Sequence, residues 1–226
     1  NSSARRKVGV IMLNTRFPRL PGDIGNPDTL PWDVIIRRVE AATVAAIVAS
    51  DAPEESLQQS LLNTALELEQ AGCELLVTSC GFLGSMQQRF TEQLSIPVVS
   101  SSLALIPFLR AVYGPAAPLG VITFNSQSLQ PVHFNGHYDS QIHIAGVEQG
   151  QELFPVISEN RETLDPARAE ADLVEAALAL QARQPDIRAI LLECTNLPPY
   201  KKAVQAATGL PVYDLISAIH WIMEAR

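Results

Sequence analysis

The sequence is short of charged residues and of cysteine, and it has no long apolar run; each shortage excludes a class of protein. Charged residues are 18% of the 226 and the net charge is −8, so we expect no nucleic-acid partner, which would need a basic surface facing phosphates. No run of eighteen apolar residues occurs, which argues against a membrane partner. Glycine-rich nucleotide-binding loops of the G-x-G-x-x-G or P-loop type are also missing.

The three cysteines are an odd number without disulfide spacing, and no secretory signal is evident. Reduced thiols in a cytoplasmic protein are the interpretation that this pattern favours. Three histidines, His133, His137 and His143, lie in a turn-rich stretch without the glutamate of a zinc-hydrolase helix, so we expect no metal site.

What the chain does contain is enough apolar sequence for a core, 47% of its residues, and an internal duplication. The segment LLVTSCGFLG around Cys80 resembles LLECTNLPPY around Cys194, since an apolar run comes just before each cysteine. Each cysteine is followed 17 residues later by a proline, in IPVV and in LPVY. GVIMLN and GVITFN form a further matched pair upstream. The repeat predicts two similar lobes with the two cysteines in equivalent places.

Short β-branched apolar runs alternate with amphipathic helical patterns along the chain. This alternation predicts an α/β fold of two pseudo-symmetric lobes, each a parallel sheet flanked by helices, with the site in the cleft between them. We assign residues 1–101 together with 214–226 to the first lobe, which carries Cys80, and residues 102–213 to the second, which carries Cys194. A helix is predicted over 52–72 with Asp51 as its N-cap, and another after Asp165, with Pro166 at its first position.

A long irregular loop over residues 14–31 follows the first predicted strand and contains four prolines and two glycines. Because open α/β sheets bind ligands at the carboxyl ends of their strands, we interpret this loop as a lid or wall of the site. A surface arm used for contact between subunits is the alternative.

The two cysteines carry the chemistry that we expect. A thiol at the end of a parallel strand, just before a helix, lies near backbone N–H groups and the positive end of the helix dipole, which should lower its pKa from the free value of about 8.5. Two such thiols facing each other across a cleft suit inversion of a carbon centre, since Cys80 and Cys194 can remove a proton from one face and return one to the other.

Donors at the strand ends should stabilise the enolate-like intermediate of such a reaction. Arg16 pairs with a substrate carboxylate if the loop folds over the site. Glu193 precedes Cys194 by one residue, so strand alternation predicts that it points away and pairs structurally. The predicted substrate-binding donors are Asn14, Thr15, Ser79, Gly81, Thr123, Asn125, Ser126, Thr195 and Asn196.

These duplicated strand-cysteine motifs, with Cys-Thr in the second lobe, resemble the aspartate/glutamate racemase superfamily, which also contains hydantoin racemases, maleate isomerases and arylmalonate decarboxylases. The resemblance covers nearly the whole chain. It implies that Cys80 and Cys194 are the acid/base pair, that Asn14, Asn125, Ser126 and Thr195 line the substrate carboxylate site, and that no cofactor or metal is needed. Amino-acid racemases of this superfamily tend to carry a polar pair after the first cysteine, whereas Gly81 and Phe82 stand here, which implies that Phe82 shapes a less polar pocket.

The expected function is therefore a cofactor-independent racemase or epimerase that inverts the α carbon of an amino acid or related carboxylate by proton transfer between two cysteines. Two alternatives stay open: a decarboxylase or cis/trans isomerase of a small dicarboxylate using one cysteine, and a binding protein that holds a carboxylate without turnover. We expect a small carboxylate as partner and a homo-oligomer, such as a dimer, as the assembly.

Overall fold

Two parallel sheets of four strands, in the orders β2-β1-β3-β4 and β6-β5-β7-β8, form the framework of the computed structural model. The model describes residues 5–226, so residues 1–4 of the predicted first lobe lie outside the described part. The strands are β1 (Lys7–Leu13), β2 (Asp33–Val39), β3 (Leu75–Thr78), β4 (Val98–Val99), β5 (Leu119–Thr123), β6 (Ile142–Gly146), β7 (Ala189–Leu192) and β8 (Val212–Tyr213). The two-lobed α/β prediction is confirmed.

Helices flank both sheets, and short 3₁₀ turns follow β3, β4 and β7. The helices are α1 (Val44–Ile47), α2 (Glu55–Gln70), α3 (Gln87–Gln93), α4 (Ile106–Tyr113), α5 (Leu153–Ser158), α6 (Pro166–Arg183), α7 (Lys201–Thr208) and α8 (Leu215–Met223). No helix in residues 5–226 has the length and apolar character needed to cross a bilayer.

The two predicted helix starts had different outcomes. Asp165 caps α6 as expected, because its side chain accepts hydrogen bonds from two backbone N–H groups of the first turn. The predicted start at 52 with Asp51 as cap was wrong, since α2 begins at Glu55 without a side-chain cap. Pro53 explains the delay, because the residue before a proline is disfavoured in helical conformation.

The duplication extends to the packing of a helix on the central strand of each sheet. A Cβ added to Gly9 of β1 would lie 2.5 Å from Cδ2 of Leu76 and 3.3 Å from Cβ of Leu68, which is in α2. A Cβ added to Gly120 of β5 would lie 2.9 Å from Cδ2 of Leu180, which is in α6. Both glycines therefore stand where the central strand is closely covered.

The last helix of each half packs on the other half. Tyr113 of α4 shares a hydrogen bond of 2.6 Å with Tyr213 of β8, and the neighbouring Arg110 forms a 2.7 Å ion pair with Asp139, which precedes β6. In return α8 packs on β3 and β4, with Ile219 buried in the first sheet's core. The division of the chain at 101 and 214 remains a prediction.

Removing part of the α8 contact should destabilise the protein. Ile219 is fully buried, so we expect Ile219→Ala to lower the free energy of unfolding by about 2–5 kcal/mol. Leu178 of α6 is 42% exposed, and Leu178→Ala should cost much less. Urea denaturation followed by circular dichroism measures both, and equal losses would contradict the packing of α8.

Candidate active site

Cys80 and Cys194 occupy equivalent positions, each two residues beyond an inner strand of its sheet, β3 or β7. The residues just before them, Ser79 and Glu193, donate matching backbone hydrogen bonds of 3.0 and 2.9 Å to β1 and β5. Both cysteines are 8% exposed and line one cavity between the two sheets. The structure thus brings the predicted pair together.

The two strand ends touch across the cleft. The hydroxyl of Thr195 donates a 2.5 Å hydrogen bond to the carbonyl oxygen of Ser79. On the other side of this contact, a Cβ added to Gly81 would lie 2.5 Å from both the carbonyl oxygen and Oε1 of Glu193. Glycine after Cys80 therefore lets the two lobes approach closely enough for Glu193 to reach the site.

The cavity is small, with a volume of about 30 Å³, and its walls are mostly apolar. Eight of the residues predicted for the site line it: Thr15, Ser79, Cys80, Gly81, Phe82, Cys194, Thr195 and Asn196. The remaining walls come from Leu13, Phe17, Arg19, Val44, Val48, Phe124, Ile157 and Glu193. No group of three potential metal ligands was found within residues 5–226.

Two predicted residues after β1 lie outside this cavity. The amide of Asn14 donates to the carbonyl oxygen of Glu40 at 3.1 Å, and the backbone of Arg16 bonds to Asn160. Both border a separate, more open groove. The prediction placed them at the site because they follow a strand, but the chain turns away after Leu13 and only Thr15 faces inward.

Three predicted residues at the end of β5 also lie away from the cavity wall. Asn125 is used locally, because its side chain accepts a 3.0 Å hydrogen bond from the backbone of Gln127. Ser126 donates its hydroxyl to the carboxylate of Glu148. Thr123 is buried behind the wall, where its hydroxyl holds a carboxylate that does line the cavity, that of Glu193.

Arg19, rather than Arg16, is the arginine of the site. Its guanidinium donates to Asp23 at 3.2 Å and to Thr15 at 2.9 Å, and it lies 4.5 Å from the centroid of the Phe17 ring. Asp23 is buried and accepts a 2.7 Å hydrogen bond from Asn196 of the second lobe. The 14–31 loop therefore folds across the cleft as a wall, and the spacing of an arginine and an aspartate four residues apart was a signal for this pair.

Glu193 faces the cavity, which corrects the prediction that it points away. Alternation failed because β7 ends at Leu192, one residue before it. Its Oε2 accepts a 2.7 Å hydrogen bond from Thr123, whereas Oε1 is buried and has no hydrogen-bond partner in the described part of the chain. Burial raises the pKa of Glu193 to about 7, although the bond from Thr123 opposes this shift. The sequence signal for this was an acidic residue placed directly after an apolar run.

The thiol pKa values are raised, not lowered as the strand-end position predicted. Burial is the largest cause for both Cys80 and Cys194, and the charge of Glu193 raises both pKa values further. Backbone N–H groups do lower them, but by less than burial raises them. The two thiols also differ, because Arg19 lowers the pKa of Cys80 whereas Asp23 raises that of Cys194.

The Cys194 thiol is the first member of a series of hydrogen-bonded polar side chains. Its Sγ donates to Oδ1 of Asn196 at 3.5 Å, Asn196 donates to Asp23, and Asp23 accepts from Arg19. Burial raises the pKa of Asp23, and its hydrogen-bond partners act in the opposite direction. These hydrogen bonds fix the amide of Asn196 and the guanidinium of Arg19 relative to the thiol.

The two-lobed fold with a cysteine beyond an inner strand of each sheet indicates the family to which the protein belongs. The model of the Asp/Glu/Hydantoin racemase family matches residues 27–223, and the chain belongs to this family. In agreement, the fold is similar to that of allantoin racemase from Klebsiella pneumoniae, with a TM-score of 0.64 and 15% identity over 97% of this chain and 86% of that one.

Among characterised sequences the similarity is to lyases. The chain is 35% identical over 216 residues to dimethylsulfoniopropionate lyase of Durusdinium sp. clade D, covering 92% of this chain and 71% of that protein. It is 29% identical to dimethylsulfoniopropionate lyase 7 of Emiliania huxleyi (strain CCMP1516), covering 96% of this chain but only 66% of that protein. The chain thus spans about two thirds of the length of the curated relatives it matches.

The raised pKa of Glu193 makes a prediction about stability. A carboxyl that is harder to ionise when folded costs no stability below its unfolded pKa of about 4.5, and the cost grows as pH rises through about 7. We therefore expect Glu193→Gln to raise the melting temperature relative to the original protein by more at pH 8 than at pH 5.

Thr123→Val is the matched control, because it removes the hydrogen bond that lowers the pKa of Glu193. It should reduce the melting temperature more at pH 8 than at pH 5, the opposite trend. Scanning calorimetry of the three proteins at both pH values measures this. A pH-independent difference for Glu193→Gln would contradict the burial of an ionisable Glu193.

Proposed function

We propose that this chain is a lyase that releases a dialkyl sulfide from a β-sulfonium carboxylate, with dimethylsulfoniopropionate as the substrate suggested by its relatives. The observation that carries the proposal is the composition of one cavity. Among the described residues, its lining combines two thiols with one cationic side chain, Arg19, and one acidic side chain, Glu193, in otherwise neutral and mostly apolar walls. A small zwitterion with an acidic α proton is the type of ligand that this composition fits.

The reaction requires less of the site than racemisation does. A base removes the α proton, the C–H electron pair forms the double bond to the β carbon, and the C–S electron pair leaves with sulfur. The products are dimethyl sulfide, acrylate and one proton, which the base passes to solvent. Because the sulfide leaves as a neutral molecule, no acid has to protonate it, and one thiolate is sufficient.

Arg19 is the group that we assign to the substrate carboxylate. Its guanidinium donates one hydrogen bond to Asp23 and one to Thr15. Because a guanidinium has five N–H donors, donors remain for a carboxylate. Binding there also withdraws charge from the carboxylate, which makes the α proton more acidic.

Cys80 is the thiol that we assign as the base. Arg19 lowers its pKa, whereas Asp23 and Cys80 itself raise the pKa of Cys194. Burial favours the protonated form of both thiols, so a further positive charge would help to form a thiolate. A sulfonium substrate brings that charge, and it lowers the thiol pKa at the moment of binding.

Racemisation is the second candidate, because both thiols line the same cavity, as proton exchange on two faces of one carbon requires. A racemase exchanges the α proton with solvent and releases no sulfide. The decarboxylase and isomerase alternatives use one thiol and are recognised by release of carbon dioxide or by a changed double-bond geometry. Tight binding of a carboxylate without any turnover would indicate the binding-protein alternative.

The decisive assay incubates the purified protein with dimethylsulfoniopropionate and measures dimethyl sulfide by gas chromatography. We expect sulfide and acrylate in equal amounts. Cys80→Ala should lower kcat/KM by about 10³-fold, within the usual range for a general base, and Cys194→Ala by a smaller factor.

Cys73→Ala is the matched control, because this third cysteine is buried against Gly9 in the first lobe and does not line the cavity. It should retain activity. The proposal fails if no sulfide is released while D or L amino acids exchange their α proton in deuterium oxide, and equal losses in the two cavity cysteine variants would contradict the assignment of Cys80.

A further inference from the structure

We propose that Glu193 binds the sulfonium group of the substrate through its free oxygen Oε1, and that this contact makes the site select an onium carboxylate over a neutral molecule of the same shape. The inference rests on the proposed lyase function. It concerns substrate recognition by a residue outside the thiol pair.

The two carboxylate oxygens of Glu193 have different surroundings. Glu193 is 1% exposed, and its Oε2 is fixed by the hydroxyl of Thr123 at 2.7 Å. Within residues 5–226, Oε1 has no hydrogen-bond partner, and it lies beside Gly81, where an added Cβ would come within 2.5 Å of it; both residues line the cavity. A buried carboxylate oxygen without a partner is costly, and such a group is explained when a ligand supplies the missing interaction.

The other groups that attract cations are already in use. Both oxygens of Asp23 accept hydrogen bonds, from Arg19, Gly25 and Asn196. The aromatic rings of the cavity also have partners: Arg19 lies over Phe17, Phe124 stacks on Phe154 with centroids 4.7 Å apart, and Phe82 packs against His133 at the same separation. Among the described residues that line the cavity, Oε1 of Glu193 is therefore the carboxylate oxygen without a hydrogen-bond partner.

The chemistry of a sulfonium suits this single oxygen. A sulfonium has no N–H groups, so it needs a nearby negative charge but no hydrogen-bond acceptors, and apolar walls around its methyl groups are favourable. An ammonium in the same place would leave N–H donors unpaired. The charge of Glu193 also acts on the thiols, because it raises the pKa of both Cys80 and Cys194, while Arg19 acts on Cys80 and Asp23 on Cys194. A cation beside Glu193 offsets the charge that raises both thiol pKa values.

The test uses two carboxylates of matched shape that do not release a sulfide. The first, 3-(trimethylammonio)propionate, carries a quaternary cation, and the second, 4,4-dimethylpentanoate, has a carbon atom in place of nitrogen. Isothermal titration calorimetry at pH 8 gives the ratio of the two dissociation constants. We expect Glu193→Gln to shift this ratio toward the neutral ligand by about ten- to a hundredfold.

Glu148→Gln is the matched control, because it makes the same chemical change outside the cavity, where Glu148 accepts from Ser126. It should leave the ratio as it is. Thr123→Val is the second variant, since loss of its hydrogen bond raises the pKa of Glu193. It should weaken the preference for the cation at pH 7 and restore it at pH 9.

The outcomes separate this inference from the proposed function. If the original protein releases dimethyl sulfide but Glu193→Gln and Thr123→Val leave the ratio unchanged, the inference is wrong and the lyase stands. If the ratio shifts as expected but no sulfide is released, Glu193 recognises an onium group and the lyase proposal fails. Failure of the original protein to bind the cationic ligand at all would overturn the inference.

Discussion

The contact between the ends of β3 and β7 is the constraint on which the site depends. Two equivalent strand ends meet at the cleft, joined by the hydrogen bond from Thr195 to Ser79 and by the approach of Glu193 to Gly81. Because a cysteine follows each strand two residues beyond its end, fixing this contact fixes both thiols in one cavity. A side chain at position 81 would separate the lobes or displace the carboxylate.

Burial then decides the chemistry. The cavity takes two thiols and a carboxyl away from water, and it raises the pKa of all three. Neutral thiols are poor bases, so this burial opposes thiolate formation. A substrate that carries its own positive charge lowers the thiol pKa values and favours a thiolate. A simple dicarboxylate would add negative charge and make thiolate formation harder. This difference links the electrostatics of the cleft to the choice of a sulfonium substrate.

Much of this architecture could be predicted from the sequence because it repeats. Matched segments around Cys80 and Cys194 placed both cysteines at strand ends, and alternating apolar patterns indicated the two parallel sheets. The errors arose where the chain leaves a strand. Asn125 forms a local turn and Arg16 enters a side groove, whereas Glu193 turns inward just beyond β7. Side-chain direction beyond a strand depends on contacts with the other lobe, such as that with Gly81, which no local pattern contains.

In the loop over residues 14–31, too, some features follow from the local sequence and others depend on contacts with the second lobe. Its prolines and glycines indicated an irregular segment at the site, and the structure places it against the second lobe through Asp23 and Asn196. The pairing of Arg19 with Asp23 is local, since the two residues are four apart, whereas the bond from Asn196 that holds Asp23 at the cleft comes from the other lobe.

A crystal structure with bound 3-(trimethylammonio)propionate tests the central claim most directly. The account predicts that the carboxylate lies against Arg19, the quaternary nitrogen beside Oε1 of Glu193, and the α carbon within reach of Sγ of Cys80. A ligand bound in the opposite orientation, or outside the cleft between the two lobes, would contradict it.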